Sequence, residues 1–155
     1  MEKDLLDKLP PDIKKEFMKY AIKLGEKKKQ TKVHDDFLSF VKHVWPEFIE
    51  GKHHKEIADK FNKLAKGEIK RLIINMPPRH TKSEFGSFLL PAWMVGRRPN
   101  LKIIQSTHTT ELAIRFGRKA KNLMDSPEYK QVFKTRLRED SQAAGKWETE
   151  QGGEY

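Results

Sequence analysis

Cysteine is absent from the 155-residue chain. Its absence excludes disulfides, thiolate nucleophiles and zinc sites that contain cysteine, and it is typical of proteins of a reducing compartment. Long apolar runs are lacking too. The N-terminal sequence MEKDLLDKLPPDIKKEF carries charges throughout, so it is neither a signal peptide nor a membrane span. We therefore expect a soluble, cytoplasmic protein.

The glycines of a phosphate-binding loop are also missing, although the other parts of such a loop are present. In RLIINMPPRHTKSEFG, residues 71–86, an apolar run ends at two prolines and a Lys-Ser pair follows. The order strand, loop, Lys-Ser, helix is that of the P-loop, GxxxxGK[ST]. When Lys82 and Ser83 are aligned with the end of that motif, Met76 and Thr81 take the places of its two glycines.

The residues of this stretch suit phosphate chemistry. Lys82 would reach the β- and γ-phosphates, Ser83 would offer its hydroxyl to Mg²⁺, and Arg79 would add a planar donor fork. Thr81 makes the tight curl of the backbone costlier than glycine does, so we expect Thr81→Gly to tighten nucleotide binding. A polar strand-to-helix turn that binds nothing is the alternative interpretation.

Positive charge is concentrated in one part of the chain. The formal net charge is +10, and 11 basic residues face three acidic ones between Arg97 and Arg138. Such a concentration favours a polyanionic partner, whereas the alternative is a solvated surface. Four of the basic residues lie on one predicted amphipathic helix and form its outer face: Arg115, Arg118, Lys119 and Lys121.

The first 66 residues are predicted to be helical. Apolar residues recur at spacings of three and four in three segments. The first follows Pro10-Pro11 and is expected to end near Gly25, before a polar connector, and the other two cover 37–44 and 52–66.

The pattern changes after residue 66. Short apolar runs at 71–75 and 101–107 suit buried strands, and helical stretches follow each of them. This order predicts an α/β fold with a parallel βαβα unit behind the helical region. Residues 142–149 suit a hairpin around Gly145.

Four stretches together resemble the large subunit of tailed-phage terminases. They are FVKHVWPEFIEGKHHKEIADKF, IKRLIINMPPRHTKSEFGSFLLPAWMVGRRP, STHTTELAIRFGRKAKNLM and DSQAAGKWET. They follow one order over more than two thirds of the chain, and PPRHTKSE is a specific form of the loop of that family.

The resemblance implies the N-terminal part of a packaging ATPase with a P-loop NTPase fold. A helical region, 1–66, would precede an incomplete ATPase core, 67–155. ATP and Mg²⁺ would be the cofactors, with Arg79 and Lys82 catalytic, Ser83 on the metal, and His54 or its neighbour His53 near adenine. A solvent-facing pair of histidines at a helix start is the alternative. The residues that match the deviant Walker A motif of the family are Pro77, Pro78, Arg79, His80, Thr81, Lys82 and Ser83.

The resemblance also implies partners: double-stranded DNA, and in the full-length family member the portal protein, the small terminase subunit and further copies in a ring. The expected location is the host cytoplasm. No apolar strand ending in acidic residues, the Walker B motif, is visible, and the nuclease domain of the family is absent. We therefore expect a fragment that does not hydrolyse ATP alone. The alternative function is a non-catalytic nucleic-acid-binding or capsid-docking module.

Overall fold

The computed structural model describes residues 10–155, which form six helices and one antiparallel hairpin. The helices are α1 (Pro11–Asp35), α2 (Phe37–Val44), α3 (Lys52–Lys66), α4 (Lys82–Glu84, continued by Phe85–Leu89 and Leu90–Arg97), α5 (Thr110–Asp125) and α6 (Pro127–Val132). The hairpin consists of β1 (Leu137–Gln142) and β2 (Trp147–Thr149). The first nine residues of the predicted helical region 1–66 lie outside the described part.

The prediction of an α/β fold, a partial P-loop NTPase fold with a parallel βαβα unit, is wrong. Within residues 10–155 the one sheet has two antiparallel strands, β1 and β2. The runs 71–75 and 101–107 form no strands and do not pair with each other. The second run makes a single parallel bridge, between Lys102 and Glu154.

The two apolar runs explain the error. A parallel strand is a continuous apolar run because both of its faces are covered. Here Ile74 and Ile103 pack against the core, whereas Ile73 is 86% exposed and Ile104 is 98% exposed. Each run therefore has one side packed against the core and one side exposed to solvent. Within residues 10–155, no helix covers the exposed side, where Ile73 and Ile104 lie.

α2 and α3 confirm their predicted bounds, but the predicted end of α1 is wrong. The helix continues past Gly25 to Asp35. A single internal glycine costs about 1 kcal/mol relative to alanine, and the lysines that follow it favour helix. Asp36 caps the start of α2, where its carboxylate accepts from the Ser39 N–H at 2.8 Å, and Gly67, with φ of 80°, caps the end of α3.

Aromatic rings form the centre of the core. Phe37 of α2 contacts four other rings at centroid distances between 5.1 and 6.4 Å: Phe40, Phe61, Phe85 and Trp93. Three of these contacts are edge-to-face, an arrangement that adds about 0.5–1.5 kcal/mol each beyond burial. Since Phe85 follows the 76–83 loop closely, the core fixes the start of α4.

α4 contains a π-helical turn over Phe85–Leu89, in which the Leu90 N–H donates to the Phe85 carbonyl. Pro91 lies two residues after the end of this turn. Proline has no N–H, and its ring crowds the carbonyl four residues earlier, which is that of Ser87. We attribute the widened turn to Pro91. Within residues 10–155, none of the helices has the length and hydropathy needed to cross a bilayer.

Candidate phosphate-binding loop

The 76–83 loop has an unusual backbone. Arg79 and Thr81 adopt left-handed conformations, with φ of 64° and 59°. The left-handed region costs an L-residue roughly 1–2 kcal/mol, and it is rare for a β-branched one such as threonine. Such strain persists where the surrounding structure holds it, and it concentrates at functional sites.

A chain of hydrogen bonds holds Thr81. The Gly51 N–H donates to His54 Nδ1 at 2.8 Å, so the proton of the neutral ring is on Nε2. His54 Nε2 donates to Thr81 Oγ1 at 2.7 Å, and Thr81 Oγ1 donates to the His80 carbonyl at 2.6 Å. The hydroxyl that replaces a glycine is therefore used to fasten the loop to the start of α3.

His54 is buried in an apolar setting. Its ring lies 4.8 Å from that of Phe48 and 5.1 Å from that of Phe85. Burial lowers the pKa of His54 below its ordinary value, and positive charge on His53 or His80 would lower it further. The ring is therefore neutral at pH 7, as its two hydrogen bonds require.

The start of α4 is rich in donors. Thr81 forms no side-chain cap, and the first intrahelical backbone bond runs from the Phe85 N–H to the Thr81 carbonyl at 2.9 Å. The N–H groups of residues 82–84 therefore have no acceptor within the helix. Lys82 Nζ lies 3.4 Å from the Met76 carbonyl, across the loop, and the Arg79 side chain is exposed. This set of donors suits a phosphate group.

Two further residues of the predicted motif stiffen the loop. His80 Nδ1 donates to the Pro78 carbonyl at 2.9 Å, which closes the turn ahead of Thr81. The His80 ring lies 5.8 Å from that of His53, whose buried Nε2 atom has no hydrogen-bond partner. His53 therefore presents an unsatisfied ring nitrogen beside the loop.

The loop offers few side chains that could bind Mg²⁺. Ser83, the predicted Mg²⁺ ligand, is exposed at the start of α4. No cluster of three or more His, Asp or Glu side chains in the described part of the chain could hold a metal ion. Glu84, the next residue, has both carboxylate oxygens 2.9 Å from Lys119 Nζ. The described side chains therefore do not form a metal site by themselves.

The four predicted nucleic-acid-binding residues differ in their surroundings. Arg115 and Arg118 are exposed on α5. Lys119 is occupied by its ion pair with Glu84, which ties α5 to α4. Lys121 is partly buried. The outward basic face therefore consists mainly of the two arginines.

Sequence reasoning did not find the bond between His54 and Thr81. The two residues are 27 positions apart, and no periodicity connects them. The only available signal was that His54 lies on the apolar side of α3, where a polar ring needs a partner.

Protein-family models, curated proteins and solved structures were each compared with the chain, and none of them matches. The geometry of the loop therefore carries the functional inference, together with the sequence resemblance described above.

Proposed function

We propose that residues 76–83 bind the phosphates of ATP or ADP with Mg²⁺, as part of a DNA-packaging ATPase of the terminase large-subunit type. The observation that carries this proposal is the pair of left-handed residues, Arg79 and Thr81, held in place by His54. Alternating left-handed residues turn successive N–H groups inward, and such concave arrangements bind anions. The helix that follows adds its own uncapped N–H groups.

Each residue of the loop has a role in this proposal. Lys82 neutralises charge on the terminal phosphates, and Arg79 adds two parallel donors to one of them. Ser83 contributes its hydroxyl to the ion, while Mg²⁺ itself reduces the negative charge of the bound phosphates.

His54 and His53 have different roles in this proposal. Both nitrogens of His54 are already hydrogen-bonded within the protein, so it acts as a positioning residue for Thr81. His53 is partly exposed and its ring lies 5.8 Å from that of His80 in the loop, so the ring is the better candidate for stacking on the adenine base. This assignment selects one of the two histidines that the sequence left open.

Binding DNA without turnover is the second candidate function. It is favoured by the two exposed arginines of α5, Arg115 and Arg118, in the most basic part of the chain. A positive helix face attracts the DNA backbone independently of sequence. This function and nucleotide binding involve different residues, so each is measured separately.

Calorimetric titration with Mg-ATP tests the first proposal. Lys82→Ala should weaken binding by about tenfold or more, because a charge-assisted hydrogen bond contributes roughly 1.5–3 kcal/mol. Lys60→Ala is the matched control, since Lys60 is an exposed lysine on α3 outside the loop. Pyrophosphate with Mg²⁺ should bind as well, because the proposed contacts are to phosphate. If the wild type and Lys82→Ala titrate identically, the loop is only a turn.

A further inference from the structure

The N-terminal two thirds of α1 extend away from the core. Val33, near the end of the helix, is its one buried residue. Of six apolar side chains before it that are between 43% and 67% exposed, four recur at spacings of four, three and four residues: Ile13, Phe17, Tyr20 and Leu24. Such a concentration of exposed apolar surface on one helix indicates an interaction surface.

The four side chains, which we call the α1 stripe, lie on one face of the helix. Their spacing of four, three and four residues is that of the a and d positions of a coiled coil. Ile22, 59% exposed, and Met18, 54% exposed, fall about 170° and about 130° from the centre of the stripe by the 100° turn per residue. The stripe is therefore directional, and a second helix could cover it.

The charges beside the stripe indicate which helix that is. Glu16 and Lys23 occupy equivalent positions along one edge of the stripe. In an antiparallel pair of two α1 helices, Ile13 faces Leu24 of the second copy and Phe17 faces its Tyr20. Glu16 then faces Lys23 of the second copy, and the twofold axis repeats this contact.

A parallel pair would not fit as well. In a parallel coiled coil, a residue at a g position contacts the e residue five positions later in the second helix. Glu16 and Lys23 are at g positions, so Glu16 would lie beside Ala21 of the second copy and Lys23 beside Lys28. Like charges in such positions are destabilising. Charge complementarity therefore favours the antiparallel arrangement.

We propose that two copies of this chain associate through an antiparallel pairing of the α1 stripe. The paired region covers about two heptads, so the dimer is weak and depends on protein concentration. This dimer is closed by a twofold axis and uses no residue of the 76–83 loop. It is therefore independent of the nucleotide proposal.

Sedimentation velocity over a range of concentrations tests the pairing. The wild type should change from monomer to dimer as concentration rises. Phe17→Ser or Leu24→Ser should shift this transition to higher concentration by about tenfold or more, the loss expected for a buried apolar side chain. Ile22→Ser is the matched control and should leave it unchanged. Because all three residues are exposed, far-UV circular dichroism should show the same helix content in each variant.

A charge exchange tests the orientation. Lys23→Glu should weaken an antiparallel dimer by about fivefold or more, because two attractive pairs become repulsive. The double variant Glu16→Lys/Lys23→Glu should restore wild-type association. Tighter association of Lys23→Glu would indicate a parallel pair and overturn the proposal. A wild type that stays monomeric at millimolar concentration, or equal effects of Ile22→Ser and Phe17→Ser, would overturn it as well.

Discussion

His54 and Thr81 are joined by a 2.7 Å hydrogen bond that links the start of α3 to the loop before α4. Both partners are otherwise satisfied, since His54 also accepts from Gly51 and Thr81 also donates to the His80 carbonyl. The threonine is therefore an integral part of the loop and not merely a poor substitute for glycine.

Replacement of Thr81 by glycine should weaken nucleotide binding, contrary to the expectation from the P-loop pattern. Glycine relieves roughly 1–2 kcal/mol of left-handed strain. It also leaves the His54 donor without a partner, at a cost of about 1–3 kcal/mol, and it adds freedom to the backbone. Calorimetry with Mg-ATP measures the outcome.

Thr81→Val and Thr81→Ser are the controls for this prediction. Valine keeps the branched shape and loses the hydroxyl, so it should bind as weakly as glycine or more weakly. Serine keeps the hydroxyl and should bind as the wild type does. Tighter binding by Thr81→Gly would show that strain outweighs the hydrogen bond.

Stability should fall with acid because of His54. Its folded pKa lies below the unfolded value near 6.5, so the unfolded chain binds the proton more readily. The contribution of neutral His54 is present above about pH 6.5 and is lost as pH falls through the folded pKa. Urea denaturation at pH 7.5 and 5.5 measures the difference.

A variant without this titration should respond less to pH. His54→Phe keeps an aromatic ring beside Phe48 and Phe85 and removes the ionisable group, so its stability should change less between the two pH values. His108→Phe is the control, because His108 is exposed. An unchanged pH response in His54→Phe would assign the acid sensitivity to other groups.

This chain should not hydrolyse ATP at an enzymatic rate. Phosphoryl transfer needs a group that orients water and a carboxylate that holds Mg²⁺. Glu84 is the acidic residue nearest the loop along α4, and Lys119 occupies its carboxylate. A phosphate-release assay should therefore remain near background, and Glu84→Gln should not alter it. Release at about one per second, lost in Lys82→Ala, would contradict the prediction.

DNA affinity should depend on Arg115 and Arg118 more than on Lys119. Each phosphate contact contributes about 0.9 to the slope of log affinity against log salt, so removing both arginines should reduce the slope by about two. Fluorescence anisotropy with a double-stranded oligonucleotide at several salt concentrations measures the slope.

Lys119→Ala distinguishes a DNA contact from a structural ion pair. Since Lys119 pairs with Glu84, its loss should change stability and leave the salt slope nearly as it is. The control is the double variant Lys60→Ala/Lys66→Ala, which changes two exposed lysines of α3. It removes two positive charges, as the two arginine substitutions do. An equal loss of slope in that control would mean that DNA responds to net charge and not to the face of α5.

Local signals predicted the helices well. The spacing of Phe37, Phe40 and Val41 after the acidic cap at Asp36 gave α2, and the three residues are buried. The hairpin near Gly145 was also confirmed. These elements depend on neighbours in sequence, which a periodic pattern records.

Non-local relationships were not predictable in the same way. The run around Ile73 has the composition of a buried strand, yet strand pairing depends on a neighbour that composition does not identify. For the candidate site, the order of loop, Lys82 and helix was visible in the sequence. The bond from His54 was not, because it connects residues that only the packing of α3 against the loop brings together.

The bare faces at Ile73 and Ile104 have a consequence for handling the protein. Apolar segments with exposed isoleucines can pair with the same segments of other molecules, which is the first step of β-rich aggregation. The net charge of +10 keeps molecules apart, and salt screens that repulsion. Low salt should therefore keep the protein dispersed, and low salt also strengthens the attraction of a chain of this charge to nucleic acid.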